Sequence, residues 1–156
     1  LWTIPILMRN GIKVSSSIRR LRHPDGTLFP GKPFRWQAGR NEMWEFPLAS
    51  ARVGGISLHY AGSGHFRLLP DFMIQYFTRK ADYNMYYFHP RDFDDNPQRS
   101  PRLSPLRNFK NAFRTKSALR RLEKLIEKND FISLSEALNR LKDYEKITLP
   151  GNIPAP

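Results

Sequence analysis

Along the first third of the chain, apolar positions come in short bursts separated by turn-forming residues. Residues 2–10 (WTIPILMRN) predict a helix, because Pro5 falls in the first turn, where its missing amide is tolerated, and Gly11 stops it. IKVSSSI (12–18) reads as a short strand. HPDGTLFPGKPFRWQAGRN (23–41) carries three prolines and four glycines or asparagines, which predicts a long irregular connection. In MWEFPLAS (43–50), Trp44, Phe46 and Leu48 alternate with Glu45 and Pro47, the period-two pattern of a strand with one buried face. ISLHY (56–60) is a second, weaker strand, entered through Gly54-Gly55.

Gly62-Ser63-Gly64 breaks that strand and leads into HFRLLP. A helix is expected over 71–81 (DFMIQYFTRKA), with Asp71 as its cap and Phe72, Ile74, Tyr76 and Phe77 as apolar positions. MYYFHP (85–90) is the next strand, and its near-continuous apolar run suits burial on both faces. RDFDDNPQRSPRLSP (91–105) reads as a proline-rich connection. Two helices close the chain. The first, over 115–128, sets Leu119, Leu122, Leu125 and Ile126 on one stripe. The second opens with Ser133-Leu134-Ser135-Glu136, a capping box in which Ser133 and Glu136 satisfy each other's free amides, and turns Leu134, Ala137, Leu138 and Leu141 inward.

Strands alternating with helices predict an α/β architecture with mainly parallel strands. Only three or four strands are present, and a doubly buried strand such as MYYFH needs neighbours, so the expected unit is part of a larger sheet or barrel. The opening Leu1-Trp2 and the loop-like ending GNIPAP read as a piece of a longer product, with its true N-terminus missing.

Composition narrows the chemistry. Apolar residues make up 40% and aromatics 13%, enough for a packed core. There is no cysteine, which excludes disulfides and cysteine-ligated zinc or iron–sulfur centres. No apolar run approaches the roughly 20 residues of a membrane-spanning helix. Net charge is +12, and the stretch from Arg99 to Lys128 holds ten basic and two acidic residues, contributing +8 of it. That excess reads first as a solvated basic face. No recognition motif accompanies it, so specific nucleic-acid binding is not expected.

Four histidines are candidates for chemistry. His23 falls in the proline-rich connection, and His59 reads as a surface or half-buried strand position. His65 follows Gly-Ser-Gly, where loop placement alone brings a side chain to a site. His89 ends the most strand-like segment, and in α/β barrels catalytic groups sit where strands end. Pro90 then takes the chain out of the sheet, since it has no ladder donor. Pattern alone leaves two readings of His89 open: an acid/base group, or a strand-end residue that caps the core. HExxH, helical histidine pairs, GxSxG and phosphate-cradling loops are all missing from the sequence. Asp92, Asp94 and Asp95 follow His89, as aspartates commonly do in turns.

Three segments in order, MWEFPLAS (43–50), AGSGHFRLLP (61–70) and YYFHPRDFD (86–94), carry a resemblance. Together they resemble the polysaccharide deacetylases of the NodB-homology family (carbohydrate esterase family 4), in particular the subgroup linked to exopolysaccharide export. WTIPILMRNGIKVSSSI (2–18) is similar to the helix and strand that follow the family's arginine motif. The resemblance spans roughly residues 1–140. Two features depart from the subgroup: Ala61, Ser63 and His65 stand where an all-glycine loop and a tyrosine are usual, and Arg91 and Asp92 where tryptophan and glutamate are usual.

The resemblance implies the C-terminal part of a distorted (β/α) barrel over residues 1–112, a helix pair packed on it over 113–146, and a tail over 147–156. It implies hydrolysis of an N-acetyl sugar amide with His89 as the proton donor to the departing amine. Gly64, His65, Arg67 and Tyr87 would serve the substrate: Tyr87 at the acetyl-methyl pocket, Arg67 and the 62–65 loop at the rim. A divalent metal, zinc by the family pattern, would be held by an aspartate and two histidines of the missing first half of the barrel, outside this chain. The implied partner is an N-acetylated polysaccharide or its precursor, and the chain by itself is not expected to deacetylate. Two alternatives remain: a non-enzymatic basic binding module, and a barrel remnant without activity.

Overall fold

The computed structural model describes residues 2–18, 29–98, 100–142 and 144–149, so His23 and the first part of the expected 23–41 connection lie outside it. In chain order its elements are α1 (Thr3–Arg9), β1 (Val14–Ser15), β2 (Phe34–Ala38), β3 (Asn41–Glu45), β4 (Ala51–Val53), β5 (Ile56–Leu58), α2 (Ser63–Leu68), α3 (Asp71–Lys80), a 3-10 turn (Pro90–Phe93), α4 (Pro105–Ala112), α5 (Thr115–Glu127), α6 (Leu134–Arg140) and β6 (Glu145–Thr148). This is a mixed α/β chain with small sheets. It divides into two compact units, residues 1–48 with 138–156, and residues 49–137.

The first unit is built on a four-stranded sheet of order β1-β3-β2-β6. β1 runs parallel to β3 and β6 parallel to β2, but β2 and β3 form an antiparallel hairpin, so the sheet is mixed rather than mainly parallel. β2 lies inside the stretch expected to be irregular. Its alternation is clear once isolated, with Phe34 and Trp36 fully buried, but Pro33 and Gly39 at its two ends give the local impression of a loop. α1 closes one face of the sheet through Ile4 and Met8, which join Phe29, Phe34, Trp36, Met43 and Leu149 in one apolar cluster.

The strand expected over 43–50 is displaced to 41–45; Phe46 and Leu48 beyond it are buried, as their alternation suggests, but within β3 the parity is the reverse of that expected. β3 ends at Glu45, and its inward positions are Met43 and Glu45, at 1% and 0% exposure. Burial of a carboxylate demands donors, and they are present. Glu45 accepts the amides of Ser17 at 2.8 Å and Ile18 at 3.1 Å on one oxygen, with the Trp36 indole N–H 3.4 Å from the other. On the opposite face the Arg35 guanidinium lies over Trp44 and Tyr144, at 4.4 and 4.6 Å from the ring centroids, and pairs with Glu42. Lys146 of β6 reaches Glu42 at 3.2 Å, and hydrogen bonds from these two cations hold the Glu42 carboxyl below the usual carboxylate range.

The second unit opens with the β4–β5 hairpin, whose two-residue turn places Gly54 and Gly55 at φ +55° and +83°. Both residues need the left-handed region, and glycine enters it without a Cβ clash. The expected break at 62–64 is instead the start of α2, with Gly62 as its cap residue. α3 follows as expected, except that Pro70 is the cap and Asp71 the first helical residue. α4 falls in a stretch without a predicted element, although Ser104-Pro105 is a cap-plus-first-turn signal; the Ser104 hydroxyl accepts the Arg107 amide at 3.4 Å. α5 buries Thr115, Ala118 and Leu125, with Leu122 partly covered. Leu119 and Ile126, expected on that stripe, are 53% and 50% exposed, because the contact face runs through Thr115, Ala118, Leu122 and Leu125 at spacings of three and four. At α6, Ser133 accepts the Glu136 amide at 3.1 Å as the cap predicts, yet Leu134 is exposed and Ala137, Leu138 and Leu141 are only half-buried.

Candidate functional site around His89

The segment expected to be a doubly buried strand is a single extended run with one buried side. The amide of Ala49 donates to the Met85 carbonyl and that of Tyr87 to the Ala61 carbonyl, both at 3.1 Å, and Gly62 and Tyr87 form an isolated parallel bridge. Tyr86 and Phe88 point into the core. Their rings stack at 6.2 Å and 9°, and Phe66 of α2 meets Phe88 edge-on at 5.0 Å. Tyr87 and His89 take the other parity and face outward, edge to face at 5.0 Å and 89°. Tyr87 is 37% exposed and His89 is exposed as well.

Gly62 makes this arrangement possible. A Cβ there would sit 3.3 Å from Cε1 of Tyr87, so the ring packs against bare backbone. Burial raises the phenols behind it: Tyr86 is pushed up to about 12, and Tyr60 is raised further by burial and then by Tyr86. The Tyr86 hydroxyl shares a hydrogen bond with Thr78 at 2.5 Å, and Tyr60 donates to Asn84 at 2.5 Å.

Below His89 the chain turns through Pro90–Phe93. The His89 amide donates to Asp92 at 2.8 Å, and the Asp92 amide returns to the His89 carbonyl at 2.9 Å. Asp92 is 1% exposed, and its other oxygen lies 3.3 Å from the Arg67 guanidinium. Arg67 is itself 5% exposed and donates to the carbonyls of Lys110, Asn111 and Phe113 at the end of α4. It is therefore a buried fastener joining α2, the 3-10 turn and α4, and not a group on a rim. Arg121 of α5 continues the network, donating to the Arg67 and Leu69 carbonyls at 3.0 and 2.6 Å and pairing with Asp71.

Of the residues singled out from sequence, Tyr87 and His89 are brought into contact, and Arg67 reaches the His89 backbone through Asp92. His65 is exposed on α2 with its ring 6.5 Å from that of His59, and Gly64 is a helical residue with open space around it. No hydrogen bond or ring contact among the described residues joins Gly64 or His65 to His89. Asp92 was concealed among ordinary turn aspartates. The spacing His89-Pro90-Arg91-Asp92 (a cap residue, proline at the first position, a carboxylate three residues on) is the signal that finds it.

Among the described residues no three histidine, aspartate or glutamate side chains gather as a metal-binding group. No helix among them is long and apolar enough to cross a membrane.

What the site defines is an α/β unit with an exposed, backbone-anchored histidine. Residues 16–139 match the model of a family described as "Domain of unknown function (DUF3473)", and the chain belongs to that family. Neither the curated proteins nor the solved structures contain a match to it.

Proposed function

We propose that this chain is the C-terminal part of a carbohydrate N-deacetylase, the end of a distorted (β/α) barrel, acting on an N-acetylated polysaccharide or its precursor in exopolysaccharide metabolism. His89 is the general acid: as the C–N bond of the tetrahedral intermediate breaks, the imidazolium gives its proton to the departing amine, and acetate is left. A poor amine leaving group needs that proton, and imidazole titrates in the right range to supply it.

The observation that supports this most is the outward, exposed His89 on a backbone fastened by Asp92 and packed edge-on against Tyr87. Proton donors work best when held in place, and here the cap, the proline and a buried ion pair all restrain one residue. Tyr87 beside it offers an apolar wall fit for an acetyl methyl group. The resemblance puts the metal ligands outside this chain, in the missing first half of the barrel.

The test uses the full-length protein. His89→Ala is expected to cut turnover of an N-acetylated glycan by about 10²–10⁴-fold with metal content unchanged; unaltered turnover overturns the assignment.

A further inference from the structure

We propose that the groove between the start of α3 and one face of α5 binds an acidic polysaccharide, which makes the substrate of the deacetylase reading an anionic glycan; the inference rests on that reading for the word glycan. The groove has a volume of about 430 Å³ and is lined by Pro70, Asp71 and Phe72 on one side and by Arg114, Ser117, Arg120, Arg121 and Lys124 on the other; its one carboxylate, Asp71, is paired with Arg121. Ser117, Arg120, Arg121 and Lys124 recur at spacings of three and four and so form one stripe along α5, and Arg114, the residue that caps the helix, extends it at the N-terminal end.

The stripe has a fixed floor and a free rim. Arg121 is the floor: its side chain is 8% exposed and its guanidinium is committed to Asp71 and to two backbone carbonyls. Arg114, Arg120 and Lys124 are the rim. All three are exposed, and none has an acidic partner among the described residues. Three cations without an acidic partner along one side of the groove complement a polymer that carries several carboxylates, and the arginine forks suit carboxylates in particular. Phe72, 73% exposed at the groove wall, gives the C–H face of a sugar ring something to lie on.

Competing polyanions fit less well. A single ring falls short of the successive stacking platforms of single-stranded nucleic-acid sites. One large apolar side chain likewise offers a bilayer little to bury.

The experiment measures binding of the 156-residue chain to polygalacturonate over a range of salt, with neutral dextran, poly(U) and vesicles containing anionic phospholipid as comparisons. A groove variant, Arg114→Asn with Arg120→Gln and Lys124→Gln, is set against a charge-matched control, Arg52→Gln with Arg79→Gln and Arg102→Gln. Asparagine is chosen at 114 because that residue sits at φ 54°, where asparagine is tolerated.

The expected result is salt-sensitive binding of polygalacturonate and none of dextran. The groove variant should bind about tenfold or more weakly at low salt, with a shallower salt slope, while the control keeps its affinity. Equal loss in both variants, no polygalacturonate binding at low salt, or tighter binding of poly(U) or vesicles at equal ionic strength overturns the proposal. None of these outcomes touches the His89 assignment, which is read from turnover of the full-length protein.

Discussion

The carboxylate of Asp92 holds the backbone amide of His89 at 2.8 Å with one oxygen and faces the Arg67 guanidinium at 3.3 Å with the other. One buried side chain thus sets the height and direction of an exposed one. Removing it strands Arg67, which keeps its three carbonyl acceptors but loses its counter-charge. Asp92→Ala is expected to lower stability by about 3–5 kcal/mol, as breaking one half of a buried ion pair does. The double variant Asp92→Leu with Arg67→Met should recover part of that loss, and denaturant unfolding of both measures the coupling. If Asp92→Ala unfolds at the wild-type midpoint, the ion pair does not fasten the turn.

Glu45 is the counterpart in the other unit, a carboxylate at 0% exposure that ties the residues after β1 to the sheet. Glu45→Ala leaves the amides of Ser17 and Ile18 without their acceptor and opens a cavity beside Trp36, at an expected penalty of about 2–4 kcal/mol. Glu45→Gln keeps one acceptor oxygen and should lie well below that figure. Thermal unfolding that ranks the glutamine variant as the more damaging one would contradict this account.

The glycines at 62 and 64 look alike in sequence and have opposite roles. Alanine at 62 presses a methyl group 3.3 Å from the Tyr87 ring, so Gly62→Ala should destabilise by about 1 kcal/mol and move Tyr87. Alanine at 64 enters open space inside a helix, and Gly64→Ala should stabilise by about 0.5–1 kcal/mol. The two midpoints in urea should shift in opposite directions. A common shift would mean that both residues act as a flexible loop.

What was legible in the sequence is what local chemistry decides. The α1 start with Pro5, the Gly54-Gly55 turn, the body of α3 and the Ser133 cap are all written in neighbouring residues, and they occur where expected. What was hidden depends on partners far along the chain. β2 becomes a strand only because β3 and β6 flank it, and β6 lies more than a hundred residues from its partner. Glu45 reads as the polar half of an alternation until the amides of Ser17 and Ile18 arrive to receive it. The apolar run at 85–89 suggested burial on both faces, whereas only Tyr86 and Phe88 have core to meet. In the candidate site, His89 stood out by its position before Pro90, but the partners that fix it, Asp92 and Arg67, were read as a turn residue and a rim residue, because burial is not visible in composition.

The buried phenols give the fold an alkaline limit. Tyr86 ionises near 12 in the folded chain and Tyr60 higher still, against the ordinary 10.0, because burial disfavours the phenolate. Both folded-state values are raised, so their contribution to stability is fully present below about pH 10, where neither state has lost the proton. Above that pH the unfolded chain releases protons that the folded chain retains, and stability falls until the folded value is reached. Unfolding monitored by circular dichroism should therefore show the denaturant midpoint falling between about pH 10 and 12. Tyr86→Phe, which removes one of the two titrating groups, should flatten that fall while lowering stability at neutral pH through loss of the Thr78 hydrogen bond. An alkaline slope unchanged by Tyr86→Phe would show that this phenol titrates alike in both states.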